Sequence, residues 1–222
     1  MTINYDQTEL DGKKMILGKT KINSHTPLNL LIGFHGAEST PENMLVHGNR
    51  LKLTNTILVF PEGFVDNGKG CFSWWEDGPK QKATVDAFLV YSNQLIDQMH
   101  AHINNEYSKN KCFTSLWGFS QGASAALVYA LLGSYSIHKV ASVCGFLPEI
   151  PKPKSKKLHN PSVLGIFGIN DPVVPPFLAE YALEEMEKKG HETDIHKTLQ
   201  THELTIENIQ QISKFLDFNK TL

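Results

Sequence analysis

Residues 112–132 read Cys-Phe-Thr-Ser-Leu-Trp-Gly-Phe-Ser-Gln-Gly-Ala-Ser-Ala-Ala-Leu-Val-Tyr-Ala-Leu-Leu. The apolar run 112–118 predicts a strand, and the Ala- and Leu-rich run 121–132 predicts a helix. Between them lies Gly118-Phe119-Ser120-Gln121-Gly122, a G-x-S-x-G turn. On its own this pattern occurs by chance on surface turns. A strand leading in and a helix leading out turn it into a nucleophile elbow. Glycines two residues to either side of Ser120 let the two backbones approach closely. The serine is then held at a helix N-terminus, where free N–H groups and the helix dipole favour developing negative charge.

Working outward, further apolar runs at 28–35, 56–61, 140–145 and 163–168 predict strands, with a weaker one at 193–199. Helical patterns separate them. Segment 84–104 carries Val85, Phe88, Leu89, Ser92, Leu95, Ile96, Met99 and Ile103 as a stripe. Segment 176–189 begins after Pro175 and stops at Gly190, and 203–218 carries Ile209, Ile212 and Leu216. Strands that are apolar throughout belong in a sheet buried on both faces. Alternation with helices predicts an α/β fold: a doubly wound, mostly parallel sheet with helices on both faces. In such sheets ligands bind outside the carboxyl ends of the strands, which selects the loops to search.

The chain has 222 residues, 41% hydrophobic and 20% charged, which suits one domain over 1–222 with a sizeable core and no large cap. A net charge of −2 gives no global reason to expect a nucleic-acid partner. The ten histidines are scattered. His100 and His102, two apart on a helix, point to different faces and make a poor metal pair. Cys71, Cys112 and Cys144 are too few and odd in number for a disulfide framework. Cys112 and Cys144 fall in or beside strand-like runs and read as small buried hydrophobes. Residues 1–14 are polar and lack the apolar region of a signal peptide, and no run is long enough to span a membrane. A cytoplasmic location is therefore expected.

A serine hydroxyl needs a base, and in this kind of sheet the partners follow in the order serine, acid, histidine. The strand 163–168 ends in Ile169-Asn170-Asp171-Pro172, which makes Asp171 the expected acid. His202 follows the last strand and precedes the last helix, which makes it the expected base. His196 lies inside the strand-like run, and His191 lies before it, at the opposite end of the sheet. Acyl transfer also needs two N–H donors for the oxyanion. Gln121, after the nucleophile, should supply one. Ala37, after Phe34-His35-Gly36 at the end of an early strand, should supply the other.

Two loops should border this site. Segment 62–82 carries Phe64, Phe72, Trp74 and Trp75. These either line an acyl or aryl pocket, with Trp74 and Trp75 as substrate-binding residues, or cover the core. Segment 145–161 carries Lys152, Lys154, Lys156 and Lys157, which could attract an anionic substrate or lipid surface, or simply be solvated.

Together, His35-Gly36, Gly118-Phe119-Ser120-Gln121-Gly122, Asp171-Pro172-Val173-Val174-Pro175 and His202 before a terminal helix resemble the phospholipase/carboxylesterase family, which includes the acyl-protein thioesterases. The resemblance runs from about residue 30 to 218. It implies an α/β-hydrolase fold, a triad of Ser120, Asp171 and His202, and oxyanion donors at Ala37 and Gln121. Ser73-Trp74-Trp75 resembles the family's Ser-Trp-aromatic segment near the acyl pocket. The chain differs in having Ala37-Glu38-Ser39 where Leu-Gly and an acidic residue are usual, Ala123 in place of a second Gly, and Thr201 before the base. The stretch with Pro61-Glu62-Gly63 and Trp74-Trp75 loosely resembles feruloyl esterases and polyhydroxyalkanoate depolymerases. The function expected is hydrolysis of a small-molecule or lipid acyl ester or thioester, or of an acylated protein, with no metal or organic cofactor required. A non-catalytic binding protein on the same fold, or a peptidase of related fold, are the competing expectations.

Overall fold

The apolar runs pair side by side into one eight-stranded sheet. A computed structural model describes residues 3–23, 26–107, 111–149 and 160–217. Lys152, Lys154, Lys156 and Lys157 lie outside the described residues. The strands are β1 (Asn4–Leu10), β2 (Lys13–Lys19), β3 (Leu28–Phe34), β4 (Thr56–Pro61), β7 (Cys112–Phe119), β8 (Lys139–Val143), β9 (Ser162–Gly168) and β10 (Thr193–Thr198). A two-stranded ribbon, β5 (Val65–Asp66) with β6 (Phe72–Ser73), stands apart. The sheet order is β1-β2-β4-β3-β7-β8-β9-β10. From β4 to β10 every pairing is parallel, while β1 and β2 join antiparallel at one edge.

Among the described residues five α-helices cover the sheet: α1 (Pro41–Gly48), α2 (Gln81–Glu106), α3 (Gln121–Leu132), α4 (Pro176–Lys188) and α5 (Ile206–Leu216). Side chains alternate across each strand, so β3 sends Leu28, Leu30, Ile32 and Phe34 to one face and Leu31 to the other. The first face packs on Val85, Phe88 and Leu95 of α2, on α3, and on Ala182 and Met186 of α4. The second packs on Met44 of α1 and Ile209, Ile212 and Leu216 of α5. Every residue of α3 from Gln121 to Leu131 is buried, which is why its sequence is apolar on all sides. This is the doubly wound, mostly parallel sheet with helices on both faces expected from the strand–helix alternation. No described helix is long and apolar enough to cross a membrane.

Besides the β5–β6 ribbon within segment 62–82, the hairpin β1–β2 and helix α1 were not expected from the sequence. The hairpin β1–β2 turns at Asp11-Gly12, both with positive φ (49° and 72°), the backbone of a two-residue hairpin turn. The Asp-Gly pair is the signal that finds it. Helix α1 opens on the Thr40 cap, whose hydroxyl accepts from the Asn43 amide, with Pro41 at its first turn. The Gly at 145 lies beyond β8, which ends at Val143 because Cys144 leaves the strand at φ 53°.

Candidate active site

Three parallel strands deliver the three expected side chains to one rim. Ser120 follows β7, Asp171 follows β9 and His202 follows β10, each at a carboxyl end. Ser120 has φ 55° and ψ −123°, left-handed backbone that a non-glycine residue adopts only under constraint. The constraint is visible on both sides. A Cβ on Gly118 would lie 2.3 Å from the Gly122 carbonyl group, and one on Gly122 would lie 2.1 Å from the Phe34 oxygen. Only glycine at both positions allows strand, turn and helix to close this tightly.

His202 Nε2 is 2.9 Å from Ser120 Oγ, and His202 Nδ1 is 2.8 Å from Asp171 Oδ2. A carboxylate can only accept, so Nδ1 carries the proton and Nε2 is left to accept from the Ser120 hydroxyl. The other Asp171 oxygen accepts the Val173 and Val174 amides, each at 2.8 Å. Burial alone would raise the Asp171 carboxyl, but the bonds from His202, Val174 and Val173 outweigh it and hold the acid below its ordinary range. The carboxylate therefore stays ionised against the imidazole. Phe119 packs on the His202 ring at 4.9 Å between centroids.

His196 and His191 are not brought to this point. His196 pairs with Asp194 at 3.0 Å and meets Gln211, and buried His191 has Nδ1 3.1 Å from the Pro161 carbonyl.

Ala37 and Gln121 flank the elbow. Gln121 is the first residue of α3, where no helical carbonyl takes its N–H. A Cβ on Gly36 would stand 3.7 Å from Ser120 Cβ, so the Gly36–Ala37 peptide runs beside the serine. Buried His35 fixes that peptide. Its Nε2 accepts the Gly63 amide at 3.1 Å, so its Nδ1 carries the proton and donates to the Gly36 carbonyl at 2.7 Å. In a trans peptide the Ala37 N–H points away from that carbonyl. Burial lowers the His35 imidazole to about 4, which keeps it neutral in this role. The sequence placed His35 only as a neighbour of the oxyanion loop; its side-chain role needed the Gly63 contact, which no local pattern announces.

Trp74 and Trp75 do not line an open pocket. They are 0% and 1% exposed and sit in the core against Phe34 and Phe88, with centroids 4.8 Å apart for Phe34–Trp74 and 5.9 Å for Trp75–Phe88. Of the two expectations for this segment, covering the core describes both indoles. Phe64 is partly exposed.

Cys144, directly after β8, is buried. Cys144, Asp171 and His202 bring their donor atoms within 4.8 Å of one another. This trio does not suit a metal. Burial, then the neighbouring Asp171 carboxylate, push the thiol up to about 12, whereas a metal takes the thiolate. Both Asp171 oxygens are also already engaged. Cys112 is partly buried, as expected for a strand cysteine.

The sheet order, the strained serine turn and the rim of three side chains define an α/β-hydrolase. A family profile described as phospholipase/carboxylesterase matches residues 19–220, and the chain belongs to that family of hydrolases. No curated protein sequence matches it. Among solved structures, it is similar to a carboxylesterase from Mesorhizobium loti (16% identity, TM-score 0.75, 96% of this chain and 98% of that one). It is also similar to a carboxylesterase from Bacillus cereus (17%, TM-score 0.76, 96% of each chain). A third is SOBER1 of Arabidopsis thaliana (20%, TM-score 0.68, 84% of this chain and 96% of that one). At these identities the likeness speaks for the fold.

Proposed function

We propose that the chain is a serine hydrolase that cleaves carboxylic esters or thioesters through an acyl-enzyme, with Ser120, His202 and Asp171 as its triad. The reading rests on the two hydrogen bonds that link Ser120 Oγ to His202 and His202 to Asp171.

As Ser120 Oγ attacks the acyl carbon, its proton passes to His202 Nε2. The carbonyl oxygen becomes an oxyanion that accepts from the Ala37 and Gln121 amides. Asp171 holds the imidazolium that forms. Collapse expels the alcohol or thiol, which takes the proton from Nε2, and leaves the acyl group on Ser120. Water then gives a proton to Nε2 and attacks the acyl carbon. The acid departs as Ser120 recovers its proton. Every proton in this cycle moves through His202. The substrates proposed are small-molecule or lipid acyl esters, with an acylated protein as a further candidate of the same bond type.

A fluorophosphonate probe tests this directly. It should label Ser120, and Ser120→Ala should be neither labelled nor active against p-nitrophenyl esters and acyl thioesters of varied chain length. Turnover surviving in Ser120→Ala would end the reading, and peptide turnover exceeding ester turnover would redirect it.

A further inference from the structure

Both proposed oxyanion donors are fastened to one short segment, residues 72–75. On the Ala37 side, Ser39 and Phe72 exchange backbone hydrogen bonds of 3.0 and 2.8 Å. The Glu38 amide donates to Ser73 Oγ at 3.1 Å, and Trp74 Nε1 donates to the His35 carbonyl at 2.7 Å. On the other side, the Trp74 amide donates to Gln121 Oε1 at 2.8 Å, and Gln121 Nε2 donates to the Trp75 carbonyl at 3.1 Å. His35, Ser73, Trp74, Trp75 and Gln121 are buried, Ser39 and Phe72 are half-buried, and Ala37 and Glu38 are exposed.

Ala37, in the loop after β3, and Gln121, at the start of α3, are far apart in sequence, and a tetrahedral oxyanion needs their amides at a fixed spacing and direction. Local sequence supplies no such link. Trp74 is the residue that supplies it, because its indole N–H grips the loop of one donor and its backbone N–H grips the side chain of the other. The His35 carbonyl that it grips also lies 2.4 Å from where a Gly122 Cβ would be, so the tie reaches the elbow itself. Ser73 adds a second tie at Glu38, which stands at φ 52°, a strained angle for a residue with a side chain.

We infer that Trp74, assisted by Ser73, is a positioning residue that sets the two oxyanion amides relative to each other. The inference rests on the serine-hydrolase reading above. It assigns Trp74 to transition-state stabilisation and removes it from substrate contact.

Trp74→Phe keeps an aromatic ring in the core and deletes the N–H to His35. Ser73→Ala deletes a single hydroxyl and tests the same idea should the Trp74 variant fail to fold. Trp117→Phe is the matched control: that indole is equally buried on the opposite face of the sheet, and its Nε1 has no partner among the described residues. Trp74→Phe should lose on the order of tenfold to a hundredfold in kcat, and Ser73→Ala a smaller factor. KM and the pH midpoint of kcat should stay in place. Affinity for a trifluoromethyl ketone, which forms the tetrahedral adduct, should fall in step with kcat, and Trp117→Phe should show neither loss. Folded variants with kcat within twofold of the parent would overturn the inference, as would a loss confined to KM. Activity surviving in Ser120→Ala would instead bring down the hydrolase reading, and this inference with it.

Discussion

His202 Nε2 stands 2.9 Å from Ser120 Oγ although 82 positions separate the two residues in the chain. The sheet order allows the meeting: β7, β8, β9 and β10 are parallel neighbours, so their carboxyl ends share one edge of the sheet. Asp171, after β9, lies 2.8 Å from His202 Nδ1.

That geometry makes a specific prediction for Asp171→Asn. The amide NH2 would face Nδ1 and favour the tautomer with the proton on Nε2, which cannot accept from Ser120. kcat should fall by about 10⁴-fold with little change in KM. Steady-state kinetics decide it, and a loss below about tenfold would mean that Asp171 does not set the tautomer.

Most of the sheet was legible because its strands are buried on both faces and so are written as unbroken apolar runs. The elbow was legible for a different reason: Gly118 is imposed by the Gly122 carbonyl four residues on, in the helix that follows the strand directly, although Gly122 itself answers to the Phe34 and His35 carbonyls at the end of β3. The ordering rule then reached Asp171 and His202. What escaped depended on contacts across the fold. In the β1–β2 hairpin β1 is mostly polar and β2 carries only the short run Met15-Ile16-Leu17 between lysines, so it lacks the long apolar run that marks the interior strands. Trp74 and Trp75 lie on a long loop whose aromatic content fits a pocket wall and a core plug equally well. Only packing against Phe34 and Phe88 separates the two. His35 and the Gln121 side chain act through partners 28 and 47 positions away, a distance at which no local pattern speaks.

Gly122→Ala should be costly to folding as well as to activity. The new methyl group would press on the Phe34 and His35 carbonyl oxygens, and these are backbone atoms of β3 and its end that cannot rotate away. A destabilisation of about 3 kcal/mol is expected, at the upper end of overpacking in a rigid core. Urea denaturation measures it. A midpoint unchanged from the parent would show that the elbow is looser than this packing implies.

Cys144 should resist alkylation while the chain is folded. It is fully buried, and burial with the Asp171 charge raises its thiol to about 12, so its thiolate fraction near pH 8 is lower by roughly three orders of magnitude than that of a free thiol. Iodoacetamide followed by peptide mapping should modify half-buried Cys71 first, then Cys112, whose thiol burial raises to about 11, and Cys144 last. Early modification of Cys144 would contradict its placement behind the acid.

His35 should make the fold sensitive to mild acid. Its imidazole is lowered to about 4 by burial, against about 6.5 when exposed in the unfolded chain. Between those values the unfolded chain binds the additional proton, so stability falls as pH drops through that window and is flat above it. The full effect is at most about 3 kcal/mol, from 1.36 kcal/mol per unit. Asp171, whose acid is lowered, loses its own contribution only at more acidic pH, below the ordinary carboxylate range, so the two windows separate. His35→Gln keeps a donor for the Gly36 carbonyl but cannot titrate. Its unfolding free energy should be flatter between pH 6.5 and 4 than the parent's. Parallel curves for the two proteins would mean that His35 is already protonated in the fold, and the assignment of its Nε2 as acceptor from Gly63 would be wrong.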